Sequence, residues 1–214
     1  MLFFLVGLAM AQECEEPTTS RDLLKAVEAT ESAYSLADGA GFQQNAELSE
    51  QLLPCLGEPL SRAMSARYHR VRGLAAFLAR DEELQKASLS AARWVQPRYV
   101  WPADLVPMDH PVREAYDGID IGEPALLDLP PPKEGELTID GQPGLQRPTA
   151  WPTIVQHFGP EGDVRHTWYL PTSATNPEYE AAKPPKTATT EAILAEDGGG
   201  KRAPISIPLI IGAG

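Results

Sequence analysis

Residues 66–99, ARYHRVRGLAAFLARDEELQKASLSAARWVQPRY, decide the fold. The stretch contains most of one helix and the whole of another, and Pro97 closes it because proline breaks helix interiors. Upstream, Pro59 predicts the start of the first of these, being a favourable first-turn residue. That helix carries Leu60, Met64, Val71, Leu74, Ala75 and Leu78 on one side, and Ala63, Ala66, Gly73 and Phe77 on a second, small-residue strip. Two apolar faces predict a helix sandwiched between neighbours. The next helix, from about Asp81 to Val95, contributes Leu84, Ala87, Ala91, Ala92 and Trp94. Two more precede them. One is capped by Thr18, Thr19 or Ser20, carries Leu23, Leu24, Val27, Thr30 or Glu31, and Tyr34, and ends at Asp38-Gly39-Ala40-Gly41; the other runs from about Phe42 to Leu53 and stops at Pro54.

Antiparallel helix pairs of this kind resemble the tetratricopeptide repeat, whose period is 34 residues. Laid on 66–99, the repeat finds Gly73 and Ala92 at small positions, Leu89 at a large apolar one and Pro97 at the end. His69, Ala76 and Gln85 depart from it. One repeat cannot bury its faces alone, so the resemblance implies that the 20–56 helix pair stacks on it.

Eighteen of the 21 prolines lie at or after Pro97, which confines regular helices mainly to the first half. Residues 97–132 read as a Pro-rich connector whose Tyr99, Trp101 and Tyr116 cover the open end of the helices, with a short helix at 111–116 and a stiff spacer at Pro130-Pro131-Pro132. The period then changes to two. Glu136-Leu137-Thr138-Ile139 ends in the turn signal Asp140-Gly141, and 153–158 and 164–170 form a second strand pair across the turn 159–162. A mini-sandwich of three or four strands follows. The start GELTIDGQP (135–143) and the close VRHTWYL (164–170) resemble the PEGA-type β-domain of bacterial envelope proteins, without its defining tetrapeptide.

The expected fold class is thus α+β, made of N-terminal antiparallel helical hairpins, a Pro-rich connector and a small antiparallel β-domain. The expected segments are a signal-like apolar stretch 1–11, a repeat-like helical domain 12–96, the connector 97–132, the β-domain 133–171, a flexible linker 172–204 and an apolar tail 205–214. At 214 residues the chain is too short for a large multidomain enzyme.

MLFFLVGLAMA at 1–11 fits an export signal ending in a small-x-small cleavage site, although it lacks a basic n-region; a buried apolar strand or helix and an uncleaved anchor are the other readings. Lys201-Arg202 before an apolar run reads either as the start of a membrane span or as a tail that docks on the protein. The two cysteines, Cys14 and Cys55, pair as a disulfide if the chain is exported, pinning its N-terminus to the helices; free thiols are the cytosolic alternative. A net charge of −12 disfavours nucleic acid, whose phosphates need clustered basic residues.

The basic residues do cluster, with eight of 18 between 62 and 98. The plain account is charge pairing with the acidic helix before them. The sharper account is a partner-binding surface on which Arg67, Arg70 and Arg93 face an acidic peptide or tail, with Tyr68 and Trp94 as anchors. No catalytic residue, metal site or cofactor is expected. Asp109-His110 lacks a nucleophile elbow, Ser61, Ser65 and Ser88 read as ordinary helix-surface serines, and Gly198, Gly199, Gly200 and Lys201 lack the strand of a phosphate loop. His157 and His166 would hold an ion with Asp163 only if they met across their turn, and a surface or cross-strand aromatic pairing is the favoured reading. The function expected is a non-catalytic envelope scaffold or adaptor for a protein partner. The alternative is a small envelope glycan-binding module or hydrolase using Trp151, Trp168 and Tyr169.

Overall fold

A computed structural model describes residues 14, 16–174 and 176–182. The signal-like stretch 1–11, the tail 205–214 and the linker beyond 182 lie outside the described residues.

Helix α1 (Ser20–Ser35) starts where the Thr19 hydroxyl accepts the Asp22 N–H, and buries Leu23, Ala26, Val27, Thr30 and Ala33. Helix α2 (Gly39–Leu52) begins earlier than its apolar residues imply, because the Asp38 carboxylate accepts the Gly41 N–H at 3.0 Å and caps it. A 3-10 turn, Leu53–Cys55, follows at Pro54.

Helix α3 (Arg62–Ala79) begins at an N-cap, Ser61, and not at Pro59. The reason lies in the sheet: the Gln156 side chain accepts the Leu60 N–H at 2.7 Å and donates to the Glu58 carbonyl at 3.0 Å, fixing the segment that would otherwise start the helix. Helix α3 is buried on two sides, as its two strips require, but Leu78 is 50% exposed. A Cβ on Gly73 would stand 2.5 Å from a Leu89 methyl, so the glycine lets α3 approach α4 (Glu82–Val95) closely. Ser65 and Ser88 are buried, not on the helix surface as expected; Ser65 bonds back to the Ser61 carbonyl, and Ser88 faces Tyr169.

Trp101, Val106, Val112 and Tyr116 close over Leu74, Leu89 and Ala92 at the end of the helical layer. Val112 and Tyr116 belong to α5 (Pro111–Asp117), capped by His110. Arg113 is buried among carbonyls, donating to those of Trp101, Val106 and Pro107.

The expected mini-sandwich is a single four-stranded antiparallel sheet, and the helices supply its second layer. Its strands are β2 (Glu136–Ile139), β3 (Gln142–Pro143), β5 (Thr153–Phe158) and β6 (Val164–Leu170), ordered β3-β2-β5-β6. A separate pair joins β1 (Leu126–Asp128) to β4 (Gln146–Pro148). Period two gives β5 two different faces, both buried. Ile154 packs with Leu23, Val27, Leu60, Met64, Tyr68 and Val71, whereas Val155 packs with Leu129, Leu137 and Leu170. The described helices and strands therefore share a core, as an α+β fold in one unit, where a spacer between two domains was expected.

The Asp-Gly turn docks this sheet. Asp140, buried at φ +49°, receives the Ile154 N–H and bonds the buried His69 ring at 2.9 Å. Gly141 has φ +78°, and a Cβ there would fall within 2.7 Å of the Leu60–Arg62 backbone. The proline spacer is also tied down: the Lys133 N–H donates to the Glu180 carbonyl and the Ala182 N–H to that of Pro131. Residues 176–182, expected as flexible linker, thus pair with 131–133, and Tyr179 packs beside His157 and Trp168.

At the start of the described chain, Cys14 and Cys55 form a disulfide with a Cα separation of 5.5 Å. Nearby, the Ser20 hydroxyl and N–H both donate to Glu58 and hold its carboxyl below the ordinary glutamate value of 4.5. A depressed carboxyl stabilises the fold above its ordinary value and loses that contribution as pH falls through the folded-state value. Thermal melts taken stepwise below pH 4.5 are therefore expected to fall less steeply for Glu58→Gln than for the parent chain.

Candidate functional site

The five residues expected to bind a partner are mostly occupied within the protein. Arg67 pairs with Glu28 at 3.0 Å and with Glu31, and these bonds raise its pKa. Tyr68 is buried against Tyr169, with ring centroids 5.5 Å apart. Arg70 is buried over the Tyr99 ring at 3.6 Å and donates to Gln96; desolvation lowers its pKa. Arg93 lies 5.0 Å over the Tyr116 ring, and Trp94, 39% exposed, rests on Trp151. The arginines serve charge pairing and aromatic packing within the fold.

The aromatic set of the glycan reading does not share a face either. Trp151 is buried, Tyr169 points into the helices against Tyr68 and His69, and Trp168 is on the opposite side of β6. His157 and His166 are direct cross-strand partners whose rings lie nearly parallel, 6.3 Å apart. They form an aromatic pair, and Asp163 turns instead to Arg165 at 3.6 Å. His110 is a helix cap: its Nδ1 accepts the Val112 N–H at 3.2 Å, while Asp109 is exposed.

One arrangement escaped sequence reasoning. At the end of the helical layer, the last turns of α1 and α3, the start of α2 and the 104–110 loop wall a half-open cavity of about 390 Å³. Tyr34, Phe42, Phe77 and His110 line it together with Leu78 and Leu105, and Asp38 and Asp104 are the charged residues of its lining. The rings meet at steep angles, 56° for Tyr34 with Phe42, 72° for Tyr34 with His110 and 63° for Phe77 with His110, so no pair of these is stacked.

Because the His110 Nδ1 accepts a backbone N–H, its neutral ring carries hydrogen on Nε2 and donates it to the Tyr34 oxygen 3.3 Å away. The phenolic hydrogen remains available as a donor. Burial pushes the Tyr34 pKa up to about 12, which keeps the group neutral. Leu78 is half exposed at the cavity, and Leu36 and Met108, each 75% exposed, adjoin its lining in sequence. The lining comes from three separate stretches of chain, 33–42, 77–78 and 104–110, so no local spacing announces it. The one sequence signal was Tyr34, which ends the apolar stripe of α1.

No protein-family model matches the chain, and neither the curated proteins nor the solved structures yield a match. The tetratricopeptide-like and PEGA-like resemblances rest on the residue patterns alone.

Proposed function

We propose that the protein is an exported, non-catalytic adaptor of the cell envelope that docks a protein partner at the cavity between α1, α2, α3 and the 104–110 loop. The observation that carries this reading is the cavity beside Tyr34 and His110, flanked by the exposed apolar side chains Leu36, Leu78 and Met108. Exposed apolar residues gathered around a concavity are the usual anchor of a protein interface. The Cys14–Cys55 disulfide fits an oxidising compartment, and the apolar residues 1–11 supply an export signal in this reading. Membrane attachment through the 205–214 segment stays part of the proposal, and among the described residues no helix is long and apolar enough to span a bilayer.

The test is photo-crosslinking in the intact envelope from a benzophenone amino acid placed singly at Leu36, Leu78 or Met108. Leu126 and Leu145, exposed beside β1 and β4, serve as controls. A common protein adduct from the first three positions, missing from the controls, is expected. The same adducts from all five positions, or none from the first three, would refute docking at this end.

A further inference from the structure

We infer that the cavity at the end of the helical layer binds an organic cation, an ammonium head on an apolar stem. This deepens the docking reading by naming what the cavity holds, and rests on it only where the cation is a side chain of the partner.

Four observations lead there. Tyr34, Phe42, Phe77 and His110 line the half-open cavity, and aromatic rings attract cations through their quadrupoles, most strongly once the cation is desolvated. Asp38 and Asp104 are the only charged side chains among the described residues that line it, and both are exposed carboxylates. The last turns of α1 and α3, which run for 16 and 18 residues, contribute Tyr34, Ser35, Phe77 and Leu78 to the wall, so two helix C-termini place their partial negative charge at the cavity. The start of α2 places an opposing partial positive charge there, which the capping Asp38 carboxylate offsets, so the net negative charge comes from Asp104 and the two helix C-termini. Finally, Arg113, the cation of the adjoining helix α5, spends its donors on the carbonyls of Trp101, Val106 and Pro107.

These terms share one sign. An anion would meet the carboxylates and the two helix C-termini, which are unfavourable to it. A neutral apolar group would gain burial and nothing from the charges. The volume of about 390 Å³ suits a small head with a short stem. The Tyr34 hydroxyl, already accepting from His110, has its hydrogen free for a polar atom on that stem.

The chemistry can come from a free quaternary amine or from a lysine of a partner. The experiment follows amide and side-chain shifts of the full chain by NMR during titration with choline, with 3,3-dimethylbutan-1-ol as its uncharged isostere, and with N-acetyl-lysine methylamide. Choline is expected to saturate shifts at Tyr34, Phe77 and His110 and to bind roughly tenfold more tightly than the alcohol. Asp104→Asn, a surface change that leaves the fold intact, is expected to weaken choline about threefold and leave the alcohol unchanged. Tyr34→Leu is expected to weaken choline about tenfold, with its melting curve checking the fold.

The lysine analogue binding ahead of choline assigns the cation to a partner's side chain, and the reverse order assigns it to a free amine; both orders uphold the cavity. Equal binding of choline and the alcohol, or no saturating shift at these residues, would overturn the inference. If the titration fails while the cavity-specific crosslinks persist, the cation assignment falls and the docking face stands. If the crosslinks fail while choline binds selectively, the adaptor reading falls and the cation site stands.

Discussion

Gly141→Ala is expected to destabilise the protein by more than about 3 kcal/mol, whereas Gly162→Ala is expected to cost only about 1 kcal/mol. Both glycines occupy hairpin turns at nearly the same left-handed φ, +78° and +83°. An L side chain is strained at either position, and that strain is the whole cost at Gly162, around which a Cβ meets nothing within 4 Å. At Gly141 the Cβ would meet the Leu60 carbonyl oxygen at 2.5 Å and the Arg62 nitrogen at 2.6 Å. Backbone capping a helix cannot swing aside as a side-chain tip does, so the turn must lift from the helices. Lifting it strips Asp140 from His69, leaving buried polar atoms without partners. Urea denaturation of the two variants beside the parent chain measures the difference. Equal losses at both sites would mean that the turn does not bear on the helical layer.

The second large effect is expected from the disulfide. Cys14 and Cys55 are separated by 41 residues, and closing a loop of that length restricts the unfolded chain by about 4 kcal/mol in the chain-entropy estimate. The native contacts around the bridge survive its loss, because the Thr18 N–H still donates to the Cys55 carbonyl at 2.7 Å and the Gly57 N–H to that of Thr18 at 3.0 Å. The double variant Cys14→Ser, Cys55→Ser is therefore expected to keep its helical circular dichroism and shift its urea midpoint down sharply. The parent chain in strong reductant should match it. An unchanged midpoint would show that the bridge contributes nothing to the folded population.

Local features were legible where one stretch of chain determines the outcome. Helix α3 announced its two buried sides through two strips, and Gly73 with Leu89 marked the close approach of α3 to α4. Asp140-Gly141 and the 159–162 segment announced their turns. What stayed hidden depends on partners far apart in sequence. Gln156 reaches Leu60 across 96 residues and so moves the start of α3 from Pro59 to Ser61. His69 meets Asp140 across 71 residues, which turns an expected linked β-domain into the second layer of one core. The pairing expected of the 62–98 arginines could not be assigned to partners until the fold placed Glu28, Glu31, Tyr99 and Tyr116. The end cavity escaped for the same reason, since its walls come from three stretches that fold together.

The account stands on helices and sheet being one body, since the walls of the cavity and the seam at Asp140 both depend on that joint packing. Native-state hydrogen exchange on the intact chain tests this most directly. The slowest amides of α3 and of β5 are expected to exchange through the same opening, with one free energy and one denaturant slope. Strand amides that open through a separate step, at least about 2 kcal/mol cheaper and with a shallower slope while α3 stays protected, would contradict it.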